Sequence, residues 1–143
     1  MEASGRSTRT SLYELIERIS GSLDHTARTN KTHIVNNVSE EILLQLDEDK
    51  VACVFSHLLK NVILHSQNSC VRISSKLFGN IVLLHVKDDG CVNYDLISDC
   101  LSDMQKQAEN IGGFVGFTSY RNKLTTIAFS FTNQSAKRPD LFN

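Results

Sequence analysis

The sequence lacks the features that mark membrane, secreted and repeat proteins. No segment approaches the roughly 20 consecutive apolar residues that a transmembrane helix needs, so no membrane insertion is expected. The first ten residues are polar and lack the apolar centre of a signal peptide, which favours a cytoplasmic location. No internal repeat or low-complexity tract is present, and the only proline lies near the C-terminus.

Charge and cysteine content exclude two further classes. The formal net charge is −1, so the chain lacks the general basic surface of a nucleic-acid-binding protein, and no nucleic-acid partner is expected. The cysteines form no C-x-x-C pair, and we expect reduced thiols that act as small hydrophobic side chains: Cys53, Cys70, Cys91 and Cys100. Without clustered ligands no zinc site is expected.

Length and composition predict one domain. A chain of 143 residues with 41% hydrophobic residues can bury a core that stabilises itself. We expect a disordered tail over residues 1–10, a single domain over residues 11–133, and a loose tail over residues 134–143.

Apolar residues at three- and four-residue spacing predict three helices. The first runs from Leu12 to about Thr26, after the capping-box pair Ser11 and Glu14, although a Ser-Gly pair interrupts it. The second follows the N-cap Asp47, and the third covers residues 94–110 before the glycine pair at 112–113.

Alternating and continuous apolar runs predict five strands. They are residues 32–38, 70–78, 81–89, 114–119 and 124–132, with a two-residue hairpin turn at Gly79-Asn80. Residues 39–46 are predicted as a turn of helix followed by an extended LLQL segment. Strand 81–89 is the most continuously apolar and is predicted to be central. Together these elements predict an α+β fold, a two-layer sandwich in which helices cover one face of a mixed, mostly antiparallel sheet.

Asn61 is the most informative single residue, because it lies in the middle of the most apolar predicted helix. His57 and His65 precede and follow it by one helical turn. A buried amide without partners costs about 1–3 kcal/mol. Asn61 is therefore either solvated at the edge of the apolar face or placed to bind something.

The motifs and their order resemble the C-terminal ATPase domain of sensor histidine kinases, which belongs to the GHKL, or Bergerat-fold, ATPase family. The resemblance rests on the helix HLLKNVILHS, the strand that ends in Asp88-Asp89-Gly90, and the closing segments GGFVGFTS and LTTIAFSFT. It covers residues 11 to 132 and implies the same two-layer fold.

Several positions match the family's nucleotide site. The resemblance implies that Asn61 corresponds to the asparagine that holds magnesium, Asp88 to the aspartate that recognises adenine, and Gly90 to the first glycine of the second motif. It also assigns His65 and Thr126 to this vestigial site. No cofactor is expected unless the site is functional, in which case ATP and magnesium are implied and Asn61 is the magnesium ligand.

The chain departs from the family pattern at the positions that support the phosphates. His57 replaces the first family asparagine, Leu64 replaces the phosphate-contacting lysine, and Val92 replaces the second glycine. Only four residues separate Gly90 from Asp95, so the long ATP lid of the family is absent from the sequence.

The resemblance implies a role in two-component signal transduction. We expect a degenerate domain with lost or weak ATP binding and without kinase activity on its own. It would dock on a helical dimerisation and phosphoacceptor hairpin or on a response-regulator receiver domain. The alternatives are an active ATP-binding catalytic domain whose lid is supplied by another chain, and a phosphotransfer protein that retains this fold for docking. His25 is expected to be an ordinary surface histidine rather than a phosphoacceptor.

Overall fold

The computed structural model describes residues 10–120 and 123–134, and at 90–98, 119–120 and 123–125 it describes the backbone alone. The elements along the chain are α1 (Leu12–Ser22), α2 (Asp24–Thr29), β1 (His33–Asn37), α3 (Glu48–Leu64), β2 (Cys70–Phe78), β3 (Ile81–Asn93), α4 (Tyr94–Asn110), β4 (Phe114–Tyr120) and β5 (Lys123–Thr132). Of the predicted tails, 1–10 and 134–143, all but residues 10 and 134 lie outside the described residues, as do the side chains of Cys91, Val92 and Asp95.

The strands form one sheet in the order β1-β2-β3-β5-β4. β1 and β2 are parallel, and the other neighbouring pairs are antiparallel. β3 is the central strand, as predicted from its continuous apolar run. The predicted α+β class and the mostly antiparallel sheet are confirmed.

The core lies between the sheet and the helices. Its largest fully buried side chains come from α1, α3 and the middle strands: Leu12, Leu15, Ile16, Phe55, Leu58, Leu59, Ile63, Ile73, Leu84, Phe129 and Phe131. Side chains that alternate to the opposite face of β2, β3 and β5 are half-buried or exposed. No helix of the described residues is long and apolar enough to cross a membrane.

The first predicted helix is divided in two. The Ser11 hydroxyl accepts a hydrogen bond from the Glu14 N–H at 3.2 Å, which confirms the predicted N-cap. The helix ends at Ser22, however, and not at Thr26, because the Leu23 N–H bonds the Ser20 carbonyl at 3.1 Å instead of continuing the helical pattern. Serine and glycine are weak helix formers, and they allow this break.

Residues 39–46 form no turn of helix, contrary to the prediction. The Leu12 N–H bonds the Ile42 carbonyl, and the Leu44 N–H bonds the Thr10 carbonyl, each at 2.9 Å. Pairing with residues 10–12, at the start of α1, therefore satisfies backbone groups that a helical turn would otherwise have used. α3 then begins after the predicted N-cap, where the Asp47 carboxylate accepts from the Asp49 N–H at 2.9 Å.

Two glycines end elements at positive φ, as their positions in the sequence predict. Gly79 has φ 59° in the turn between β2 and β3, and Gly112 has φ 75° after α4. The Gly113 N–H then bonds the Ala108 carbonyl at 2.7 Å, which completes the helix end.

The free thiols have different environments. Cys100 packs against the core as predicted, whereas Cys53 is exposed on α3 and so does not act as a buried hydrophobe. Cys70, at the start of β2, is half-buried.

β3 continues past Asp88 and runs directly into α4. Lys87 pairs with Thr126 of β5, but the next pair is Val92 with Leu124, so four residues of β3 face a single residue of β5. Asn93 is the last residue of the strand and Tyr94 is the first of the helix. The chain therefore passes from the central strand to α4 without a connecting loop.

Candidate functional site

Asn61 is buried inside the domain and is not solvated at the edge of the helix. Only 9% of its surface is exposed. Its Nδ2 donates a hydrogen bond to the His57 carbonyl, one turn earlier in α3, at 2.9 Å. The amide nitrogen is thus satisfied by its own helix, and the first of the two interpretations of this residue is excluded.

Ser66 and Asp88 bring the end of α3 to the central strand. The Ser66 hydroxyl lies 2.6 Å from the Val62 carbonyl and also hydrogen-bonds Asp88 Oδ2. Ser66 is 2% exposed and Asp88 is 7% exposed. Asp88 alternates onto the core face of β3, next to the register shift, and is not a carboxylate at the end of a strand.

The other predicted site residues divide into two groups. His65 caps α3 and is half-buried, one residue from Ser66, so it lies at the same end of the helix. The backbone of Gly90 lies in β3 within the register shift. Thr126 pairs with Lys87, and this places its side chain on the opposite face of the sheet from Asp88. The structure does not bring Thr126 to the site, because side chains alternate along the strand.

Two positions depart from the polar side chains that the resemblance to histidine kinases implies, and their contacts differ accordingly. His57 Nδ1 lies 3.1 Å from Gln107 Oε1, which links α3 to α4. Leu64 is 48% exposed at the end of α3. Leu64 has no hydrogen-bond donor or charge to offer a phosphate group, and the Nδ1 atom of His57 is engaged by Gln107.

Sequence reasoning missed three residues that hold this region together. Gln107 was not recognised, because the pairing of α3 with α4 cannot be read from either helix alone. Asn30 Nδ2 donates to the Ile63 carbonyl at 2.7 Å, and Asp89 Oδ1 accepts from the Cys70 N–H at 2.8 Å. Asn30 follows the short helix α2 and precedes β1, a place where asparagine often bonds backbone groups.

Metal-binding side chains are not grouped in the described residues. There, no three His, Cys, Asp or Glu side chains lie close enough to one another to hold a metal ion.

Comparison with known proteins shows which fold this is. No family model matches the sequence, and no curated protein matches it. Among solved structures, the histidine kinase AdeS of Acinetobacter baumannii matches with a TM-score of 0.73 at 14% identity, over 88% of this chain and 66% of that chain. The nucleotide-free catalytic domain of the histidine kinase ThkA matches with a TM-score of 0.73 at 19% identity, over 90% of this chain and 97% of that chain.

The chain has the fold of a histidine kinase catalytic domain. The resemblance that the motifs predict is confirmed at the level of the fold. ThkA in complex with the response regulator TrrA also matches, with a TM-score of 0.70 at 18% identity, over 89% of this chain and 42% of that chain. The present chain thus spans 66% of the AdeS chain and under half of the ThkA chain in the complex.

Proposed function

We propose that this histidine-kinase-type domain acts in two-component signal transduction as a protein-docking module whose ATP binding is lost or weak. The observation that carries the proposal is the direct junction between β3 and α4, where Asn93 is followed by the first helical residue, Tyr94. The family resemblance implies a long lid and a glycine-rich turn at this point, whose backbone N–H groups receive the phosphates. The junction leaves no residues for either.

The contacts around Asn61 support the part of the proposal that nucleotide binding is lost or weak. Its amide nitrogen is engaged by the His57 carbonyl, and His57 itself contacts Gln107 of α4. Magnesium prefers six oxygen ligands in near-octahedral geometry. Among the described residues, no group of three His, Cys, Asp or Glu side chains is available to complete such a shell around the Asn61 amide oxygen, so the described residues do not fit a magnesium–triphosphate group.

The exposed end of α3 supports docking to a protein. Leu64 presents an apolar side chain where the family resemblance implies a phosphate-contacting lysine, and it is 48% exposed. An apolar side chain gains free energy by burial against a partner, but it gains nothing from a phosphate. The complex of ThkA with TrrA makes a response-regulator receiver domain the first partner to test, with a helical phosphoacceptor hairpin as the second.

Calorimetric titration with magnesium and AMPPNP, a non-hydrolysable ATP analogue, tests the nucleotide part of the proposal. We expect no saturable heat at nucleotide concentrations up to about 1 mM, where a binding free energy of about −4 kcal/mol is detectable. Micromolar binding that Asp88→Asn abolishes would overturn this part. That result would instead support the alternative, an active ATP-binding domain, which the retained and buried Asn61 and Asp88 favour.

Titration with individual receiver domains and phosphoacceptor hairpins from the source genome tests the docking part. We expect one of them to bind, and Leu64→Lys to weaken that binding about tenfold, since a charge then replaces a buried apolar contact. Leu77→Lys is the matched control, because Leu77 is 55% exposed on β2. Docking at the end of α3 is wrong if the two variants weaken binding equally, and the docking role is wrong if no probe binds at about 0.1 mM.

A further inference from the structure

The face of the sheet opposite the helices carries a group of cationic side chains. Arg72 of β2 pairs directly with Lys87 of β3, and Ser74 pairs with His85. Lys76 follows Ser74 by two residues and therefore shares its face. Arg72, Lys76 and Lys87 are exposed and His85 is half-buried. We call Arg72, Lys76 and Lys87 the cationic patch; His85 lies among them.

The cationic patch is electrostatically unfavourable in the isolated domain. Like charges directly opposite one another on neighbouring strands destabilise a sheet. None of the three cations has an ion-pair partner among the described residues. The pKa of His85 is lowered by burial of its ring and by repulsion from Lys76 and Lys87. A negatively charged ligand would relieve the repulsion among these charges.

Carboxylates on the same face of the sheet do not neutralise the cationic patch. Among the described strand residues, alternation places one carboxylate there, that of Asp89. Its Oδ1 accepts the Cys70 N–H at 2.8 Å at the end of the strand pair. The cationic charge of this face is local, since the whole chain has a formal net charge of −1.

Apolar side chains lie beside the cations on the same face. Phe78 pairs with Ile81 at the end of the β2–β3 hairpin, and these two residues are 59% and 45% exposed. Phe114 of β4, which is 57% exposed, is placed on this face by its pairing with Ser130 of β5. Its ring lies over Gly116, where a Cβ atom would approach within 3.0 Å of the ring. We call Phe78, Ile81 and Phe114 the apolar rim.

The geometry points to a docking surface, formed by the cationic patch and the apolar rim, for a protein partner that presents carboxylates beside apolar side chains. Protein interfaces combine Arg and aromatic residues with apolar contacts in this way. The net charge of −1 disfavours a nucleic acid, because the chain as a whole lacks the long-range attraction for a polyanion on which such binding depends. The inference gives the docking role proposed above a second surface. It relies on that proposal only for choosing a protein as the partner.

Labelled peptides of defined composition test the inference. The surface extends across three strand spacings of about 4.8 Å and over some six residues along β2, so an extended peptide of about eight residues spans it. One peptide contains glutamates followed by two phenylalanines, and a second has serine in place of phenylalanine. A single-stranded oligonucleotide of the same charge is the third probe. We expect fluorescence anisotropy to show the tightest binding for the first peptide, weakening with added salt.

Neutralising the cationic patch should remove most of this binding. The variant that combines Arg72→Gln, Lys76→Gln and Lys87→Gln is expected to weaken the first peptide about tenfold or more. Phe114→Ser should weaken the first peptide and leave the second unchanged, because the second lacks the aromatic contacts.

A matched control variant removes the same number of positive charges from the helix layer. Lys50, Lys60 and Lys106 are exposed on α3 and α4, and their combined replacement by Gln should leave peptide affinity within about twofold of the parent. Thermal unfolding of each variant identifies any loss that results from misfolding. An equal effect of both triple variants, tighter binding of the oligonucleotide, or no peptide binding at about 1 mM in low salt would overturn the inference.

Failure here and failure of the proposed function give different results. Suppose that the peptides do not bind, but that a receiver domain binds and Leu64→Lys lowers its affinity. The docking role is then supported, and the inference that the open face of the sheet is a docking surface is wrong. If the peptides bind and no receiver domain or hairpin does, this surface stands and the partner lies outside two-component signalling.

Discussion

The Ser66 hydroxyl and the Asp88 carboxylate hydrogen-bond each other across 22 residues of sequence, and both side chains are buried. This contact fixes the C-terminal end of α3 against the central strand. Asp88 is also the residue that the family resemblance assigns to adenine recognition. Its carboxylate therefore has a structural partner within the domain.

Ser66→Ala should lower the free energy of unfolding by about 1–3 kcal/mol, because a buried carboxylate loses a hydrogen-bond donor. Urea denaturation measures this. Ser102→Ala, at an exposed position of α4, is the control and should change stability by less than about 0.5 kcal/mol. Equal effects of the two variants would show that the Ser66–Asp88 contact contributes nothing to stability.

Asn61→Asp should destabilise the domain in a pH-dependent way. The Asn61 amide donates to the His57 carbonyl, whereas an ionised carboxylate can only accept and would face that oxygen unpaired. We expect a loss of about 1–3 kcal/mol at neutral pH. Part of the loss should be recovered as the pH falls and the introduced carboxyl group is protonated. Asn61→Ala is the control, since its loss should not depend on pH.

Two glycine-to-alanine substitutions should change the stability of the domain in opposite directions. A Cβ on Gly113 would lie 2.4 Å from the Ser130 carbonyl oxygen, so Gly113→Ala should cost about 1–3 kcal/mol through overpacking. Gly21 lies in α1 with no atom within 4 Å of such a Cβ, so Gly21→Ala should stabilise the domain by about 0.5–1 kcal/mol. Thermal unfolding of both variants checks the pair. A stabilising Gly113→Ala would contradict the close approach of β5.

His85 should make stability fall at mildly acidic pH. Its pKa is below the usual 6.5 because of burial and then of Lys76 and Lys87. Below pH 6.5 the unfolded chain therefore takes up a proton that the folded protein resists, and stability is lost until the folded pKa is passed. His85→Gln should reduce this loss, and Lys76→Gln should reduce it by less. An NMR titration that places the pKa of His85 at or above 6.5 would contradict the assignment.

Much of the fold could be predicted from the sequence, because local signals agree with one another. β2 and α4 have the predicted limits, since a hairpin turn at Gly79 and a glycine cap at Gly112 fix where they end. The division of α1 from α2 was not predicted. The helical pattern continues through Leu23, and only the backbone hydrogen bond to Ser20 shows the break.

The site was less accessible to sequence reasoning. Asn61 and Asp88 could be identified from their motifs, but their partners could not, because each contact depends on how α3 packs on β3 and α4. Thr126 shows the limit most clearly. Its place in the family pattern assigns it to the site, yet the strand register turns its side chain to the other face. The cationic patch likewise arises only when β2 and β3 pair in their observed register.

The direct junction between Asn93 of β3 and Tyr94 of α4 has a mechanical consequence. A flexible loop between a strand and a helix absorbs displacement, whereas a direct junction transmits it. Because one peptide bond joins the end of the central strand to the start of α4, these two points cannot move independently of each other. The helix layer and the sheet are therefore coupled at this junction through the backbone itself.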